Sequence, residues 1–152
     1  KVFTALKDED VSLWIKPKPG TPMIDIIDEI IKLTDIHHSK IKIVSGPLSG
    51  LISQTNVMIA IASGAIIDGI TSGIPVLRIK REMDLDLDPI DWFEFHPKRD
   101  FIAYTIADIR KEVIRALNLS EQDKEWLINY GQKFAKENFS PVVEGTLNVF
   151  LS

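Results

Sequence analysis

The chain has 152 residues, about one domain, with 45% hydrophobic and 26% charged side chains, an ordinary globular composition. Eighteen basic against 22 acidic residues give a formal net charge of −4, the wrong sign for a surface built mainly to hold nucleic acid, so no nucleic-acid partner is expected. The absence of cysteine excludes disulfides, thiolate metal sites and cysteine nucleophiles, and the lack of an apolar run of about 18 residues or of a charged-then-apolar leader favours a cytoplasmic protein.

Val2, Phe3 and Leu6 among polar neighbours suit the last turns of a helix over residues 1–8. "VSLWI", 11–15, reads as a strand, stopped by Lys16-Pro17-Lys18-Pro19-Gly20, which cannot continue a central ladder. Met23, Ile24, Ile26, Ile27, Ile30 and Ile31 recur at helical spacing and predict an amphipathic helix over 22–34. "IKIV", 41–44, is a short strand, "SGPLSG" a loop and "LISQT" a brief helical turn. "VMIAIA", 57–62, is apolar throughout, as a parallel strand buried on both faces should be. A short helix over 64–72 and a strand "PVLRI" follow; 80–91, "KREMDLDLDPID", is the least regular stretch and reads as a surface loop. A strand near 92–95, helices over 105–117 and 120–138, and a closing helix from Pro141 complete the chain.

Strands alternating with helices imply a parallel sheet covered on both faces. A doubly wound domain normally opens on a strand, whereas this chain opens at the end of a helix. The expected fold is therefore a single α/β domain over 1–152, a Rossmann-like doubly wound parallel sheet lacking its first strand, with C-terminal helices.

In such sheets ligands bind beyond the carboxyl ends of the strands. Ser63 and Gly64 fall there, after "VMIAIA". Ser63 is a good N-cap residue, Gly64 lets backbone approach a ligand, and the helix start at Ala65 offers free N–H groups and a positive dipole end that attract phosphate. Asp68 stands five residues after Ser63, where a carboxylate can accept hydrogen bonds from the two hydroxyls of a ribose. The plain alternative is a capped helix with a solvated aspartate. Lys16 and Lys18 stand at the carboxyl end of another strand, in a turn stiffened by two prolines; they point at an anion in the same crevice or are solvated on a surface turn.

"TNVMIAIASGAIIDGITSGIPVLRI" resembles the nucleotide-binding signature of the C-terminal domain of two-domain, GT-B-type glycosyltransferases, especially those that build bacterial surface polysaccharides. The residues that carry the resemblance are Asn56-Val57, Ser63, Asp68 and Gly73-Ile74-Pro75-Val76, and "LWIKPKPG" is similar to the lysine-proline-histidine-proline strand end of the same domains. Two positions depart from the pattern: Asp68 stands where glutamate is frequent, and Lys18 where histidine is frequent. The resemblance implies the C-terminal half of a larger enzyme, which holds the diphosphate and ribose of a nucleotide-sugar donor. The acceptor and the catalytic base would belong to an N-terminal domain of the same protein, so these residues alone are expected to be inactive. No cofactor or metal is implied, and the work lies in the cytoplasm or against the inner face of the membrane. In the resembling family the closing helix packs on the N-terminal domain, so weak self-association through the apolar tail from Pro141 is expected in its absence.

Other readings are weaker. Asp84, Asp86 and Asp88 alternate, but Pro89 occupies the place where a calcium loop needs glycine, and a solvated loop is preferred. His37-His38 has no third ligand in sequence reach and reads as a polar helix terminus. His96-Pro97-Lys98-Arg99 follows the strand near 92–95 and adds positive charge on a surface turn. Neither a Gly-Lys-Ser/Thr phosphate loop nor a Gly-x-Gly-x-x-Gly fingerprint is present. Two rivals stand behind the transferase. One is half of a non-hydrolysing sugar-nucleotide 2-epimerase, which usually has aspartate where this chain has Ala62. The other is a non-catalytic flavodoxin-like or receiver-type interaction module, which clusters acids rather than Lys16, Lys18 and Ser63 at its strand ends.

Overall fold

The computed structural model describes residues 1–17, 24–61, 63–80 and 99–139; of residues 24–26 only the backbone is described. In chain order the elements are α1 (Val2–Leu6), β1 (Leu13–Ile15), α2 (Ile24–Thr34), a 3-10 turn (His38–Lys40), β2 (Ile41–Ile43), α3 (Leu48–Ile52), β3 (Met58–Ala60), α4 (Ala65–Thr71), β4 (Val76–Ile79), β5 (Phe101–Ala103), α5 (Ile106–Leu117) and α6 (Glu121–Asn138).

The protein is α/β, and every described strand pair is parallel. The strands form two small sheets rather than one. In the first, β1 pairs with β2, Leu13 opposite Ile41 and Ile15 opposite Ile43; in the second the order is β3-β4-β5, with Met58 opposite Val76 and Leu77 opposite Phe101. β1 and β3 do not pair with each other. "VMIAIA" therefore departs from its expected double-sided burial: Met58, Ile59 and Ala60 are half-buried and Ile61 is 52% exposed. β3 lines an open cleft, with no strand partner on that side among the described residues, whereas Leu77 and Ile79 of β4 and Phe101 and Ala103 of β5 pack against α1 and α5 and are buried. β5 is itself a strand the pattern did not announce. The strand expected near 92–95 lies outside the described residues, as do residues 81–91 and the closing helix from Pro141.

Helices cover both faces of the three-stranded sheet. Ala5 and Leu6 of α1 and Ile109, Val113 and Ala116 of α5 pack on Leu77, Ile79, Phe101 and Ala103. On the other face Ile66 and Ile70 of α4 meet Phe134 of α6, with Ala60 and Val76 beneath. α4 and α6 approach to backbone contact: a Cβ on Gly131 would collide with the carbonyl oxygen of Ile70, and one on Gly73 would sit 2.6 Å from the Ile128 Cα. Gly73 also holds φ +72°, a left-handed conformation that costs glycine nothing and turns the chain out of α4 into β4.

Local chemistry starts the long helices. Thr105 caps α5 in a capping box: the Asp108 N–H donates to Thr105 Oγ1 (3.1 Å) and the Thr105 N–H donates to the Asp108 carboxylate (2.9 Å). Ser120 caps α6 through the Asp123 N–H (3.1 Å). Lys40 Nζ donates to the carbonyls of Lys7 (2.8 Å) and Glu9 (2.7 Å), which ties the turn after α1 to the start of β2. Among the described residues no helix is long and apolar enough to cross a membrane.

Candidate functional site

Among the described residues a cleft of about 860 Å³ lies between β1 and β3. Its apolar walls include Leu13, Trp14 and Ile15 on one side and Met58, Ile59 and Ala60 on the other. Lys16, Ser63 and Ala65, beyond the carboxyl ends of β1 and β3, belong to its lining, as do Asp10, Ser12 and Asn56 before the amino ends. The carboxyl end is where an open parallel sheet receives ligands, and the cleft collects residues 47 positions apart in sequence.

Lys16 follows β1 directly and its side chain is exposed. Among the described residues its ammonium has no recorded carboxylate partner, so its charge is available to an anion. Ser63 is half-buried, and its Oγ accepts a hydrogen bond from the Ala65 N–H (3.3 Å). A hydroxyl has one proton and two acceptor lone pairs, so among the described residues the Ser63 O–H keeps its proton to donate while the oxygen stays engaged with backbone.

The N-cap position of α4 falls on Gly64, not on Ser63 as the sequence suggests. Gly64 has helical φ −55° and ψ −23° and gives no side-chain cap; Ser63 stands one residue earlier and reaches the first helical N–H instead. α4 spans seven residues, two turns, so its dipole is short. Gly64 is exposed, with open space where a Cβ would stand.

Asp68 sits on the exposed side of α4, opposite Ile66 and Ile70, and does not line the cleft. Its carboxylate makes no recorded side-chain bond among the described residues, while its carbonyl accepts from the Ser72 N–H (3.1 Å) within the helix end. The cleft lining thus includes Lys16, Ser63 and Ala65 and omits Gly64 and Asp68, which are exposed. Lys18 lies outside the described residues, as do Asp84, Asp86, Asp88, His96 and Lys98.

Other polar residues have local structural partners. His37 caps the 3-10 turn, its Nδ1 lying 2.7 Å from Ser39 Oγ, which agrees with the polar-terminus reading. Among the described residues no cluster of three or more His, Asp or Glu side chains is placed to hold a metal. Arg99 turns away from the cleft: it pairs with Asp123 of α6 (2.9 Å) and lies over the Trp126 ring, 4.4 Å from its centroid.

Two features escaped the sequence. Arg78, inside "PVLRI", is 4% exposed and pairs with Asp100, its Nη2 lying 2.9 and 3.1 Å from the two carboxylate oxygens. A charge inside an apolar strand was the available signal, but its partner 22 residues away was not. Trp14 lines the cleft with Lys42 above its ring, 4.9 Å from the centroid; nothing in "VSLWI" says which edge of its strand stays open. No family model matches the chain, and neither a curated protein nor a solved structure matches it.

Proposed function

We propose that this chain is the donor-binding domain of a glycosyltransferase acting in surface carbohydrate biosynthesis, a Rossmann-like doubly wound domain that holds the diphosphate and ribose of a nucleotide sugar. The observation that carries the reading is the shared cleft: Lys16 and Ser63, from the carboxyl ends of β1 and β3, both belong to its lining. The parallel strands and the helices on both faces of β3-β4-β5 support the fold part of the reading. The similarity of Asn56-Val57, Ser63, Asp68 and Gly73-Ile74-Pro75-Val76 to the GT-B signature supports the activity.

In this reading Lys16 neutralises the diphosphate and the Ser63 hydroxyl donates to it. Asp68, on α4, takes the ribose hydroxyls, and Lys18 adds a second cation. Transfer breaks the bond between the sugar's anomeric carbon and the diphosphate oxygen. The electron pair stays on the departing diphosphate, where preorganised positive charge lowers the barrier. The acceptor hydroxyl forms the new bond, and its proton leaves to a base contributed by an N-terminal domain. Neither a hydride cofactor nor a metal is needed for that step.

The test is titration with nucleoside diphosphates and with inorganic pyrophosphate, read by calorimetry and by chemical-shift mapping. Binding that perturbs residues 16 and 63–68, without turnover of a nucleotide sugar by these residues alone, is the expected result. Shifts that avoid those positions would remove the site.

A further inference from the structure

The body of the cleft has the form of a slot for backbone. In a parallel pair, one residue in two directs both its N–H and its C=O to the neighbouring strand. The Val44 N–H donates to the Ile15 carbonyl and the Met58 N–H donates to the Pro75 carbonyl (both 2.9 Å). With the observed registers, Leu13 and Ile15 bond β2, and Met58 and Ala60 bond β4. The backbone groups of Trp14 and Ile59 therefore point the other way, and both strands line the same cleft. Among the described residues, two edges without a strand partner thus share one cavity, and backbone donors and acceptors need partners when they are enclosed.

The slot is also walled above and below. Leu6 of α1 and Val113 of α5 reach it from one face of the sheet, and Leu51 of α3 from the other. Both faces are apolar, as around a central strand of a parallel sheet. Burial follows the same line. Every residue of β1 and β3 is only half-buried, while β4 and β5 are almost wholly buried. A small apolar ligand of this volume would cover the walls and leave the two strand edges without hydrogen-bond partners.

Handedness selects the source of the occupant. Parallel strands are joined by right-handed crossovers in nearly all cases. α2 connects β1 to β2 and touches α1, which lies on the α5 face. A strand leading through α1 into β1 keeps the same hand only if the step into β1 has the same direction as the step from β1 to β2. That strand must then lie on the side of β1 away from β2, which is the side facing β3.

We propose that the cleft body holds a further parallel strand, supplied by the segment of chain leading into α1, which joins the two sheets in the order β2-β1-new strand-β3-β4-β5. Its sequence is a short, nearly continuous apolar run rich in β-branched residues, about five or six long. The cleft beyond its carboxyl end, at Lys16 and Ser63, stays open.

The experiment compares amide hydrogen exchange in residues 1–152 with exchange in the chain extended by the residues its reading frame encodes upstream of Lys1. The amides of Trp14 and Ile59 are expected to slow on the order of 100-fold in the extended chain, while those of β4 and β5 change little. The same segment added as a free peptide should shift the same two amides. An upstream frame that is absent or carries no such run would overturn the proposal. So would equal exchange in the two chains, or strong protection of both amides in residues 1–152 alone, which would show that β1 and β3 pair with each other or with a second copy.

Discussion

Ser63 and Asp68 divide the proposed ligand between them. Ser63 lines the cleft, whereas Asp68 stands outside the lining, its carboxylate without a side-chain partner among the described residues. Ser63→Ala should weaken pyrophosphate and nucleoside diphosphates alike, and Asp68→Ala should weaken nucleoside diphosphates and spare pyrophosphate. Each lost hydrogen bond to a charged or desolvated group is worth about 1–3 kcal/mol, roughly 5- to 150-fold in affinity. Calorimetry of both variants with both ligands decides; equal losses for the two ligands in Asp68→Ala would remove the ribose role. A second residue-scale prediction concerns Asp108. The Thr105 hydroxyl, followed by the Thr105 and Tyr104 N–H groups, lowers its carboxyl below the usual aspartate value. A folded pKa below the unfolded one contributes stability that is complete above the unfolded value and is lost as pH falls through the folded one. The helix cap should therefore persist to more acid pH than an ordinary aspartate would allow. A carboxyl-carbon NMR titration should find Asp108 titrating low, and Thr105→Ala should move it upward; no movement would mean that the hydroxyl is not the cause.

At the scale of elements, the seam between α4 and α6 depends on the absence of side chains. Alanine is the better helix former by about 1 kcal/mol, so Gly131→Ala would stabilise an isolated α6. In the fold the added methyl meets the Ile70 carbonyl, with the Thr71 oxygen 3.1 Å and the Gly73 nitrogen 3.2 Å away, all of them backbone. Backbone atoms yield less readily than side chains, and overpacking costs about 1–3 kcal/mol beyond the propensity gain. Urea unfolding should show a lower midpoint at an unchanged slope. An unchanged or raised midpoint would mean that the seam opens without cost.

For the whole molecule, a ligand that binds the folded chain alone must raise its stability. At a concentration one hundred times the dissociation constant the gain is about 2.7 kcal/mol. For a chain of this size that corresponds to a rise in Tm of roughly 5–10 °C. A nucleoside diphosphate should produce such a shift, and Lys16→Ala should reduce it at fixed ligand concentration by lowering affinity. A saturable shift that is the same in Lys16→Ala would place the anion elsewhere. The net charge of −4 makes Lys16 more important here, since the overall field of the molecule does not favour an anion and the attraction must be local.

Periodicity and punctuation determined much of the local structure. The helices expected over 105–117 and 120–138 lie within a residue of the observed α5 and α6, and Thr105 and Ser120 mark helix starts that a sequence can show because a cap bonds residues three positions away. The same logic placed α4 and its flanking strands, and put Lys16 and Ser63 at strand ends. Cap position was less legible. Ser, Gly and Ala in succession permit the helix to begin at more than one residue, and the observed start at Ala65 moves Ser63 one place out. Non-local facts belonged to the tertiary structure alone. β5 has three residues, too few to carry a period, and is a strand because β4 offers it an edge. Arg78 tolerates burial because Asp100 arrives beside it. Whether Ser63 and Asp68 share a cleft depends on the rotation of a two-turn helix against Phe134, and the half-burial of "MIA" in β3 depends on what stands beside its free edge. Sequence patterns report which face of an element is apolar; they do not report which neighbour covers it, because that is decided by chain segments distant in sequence.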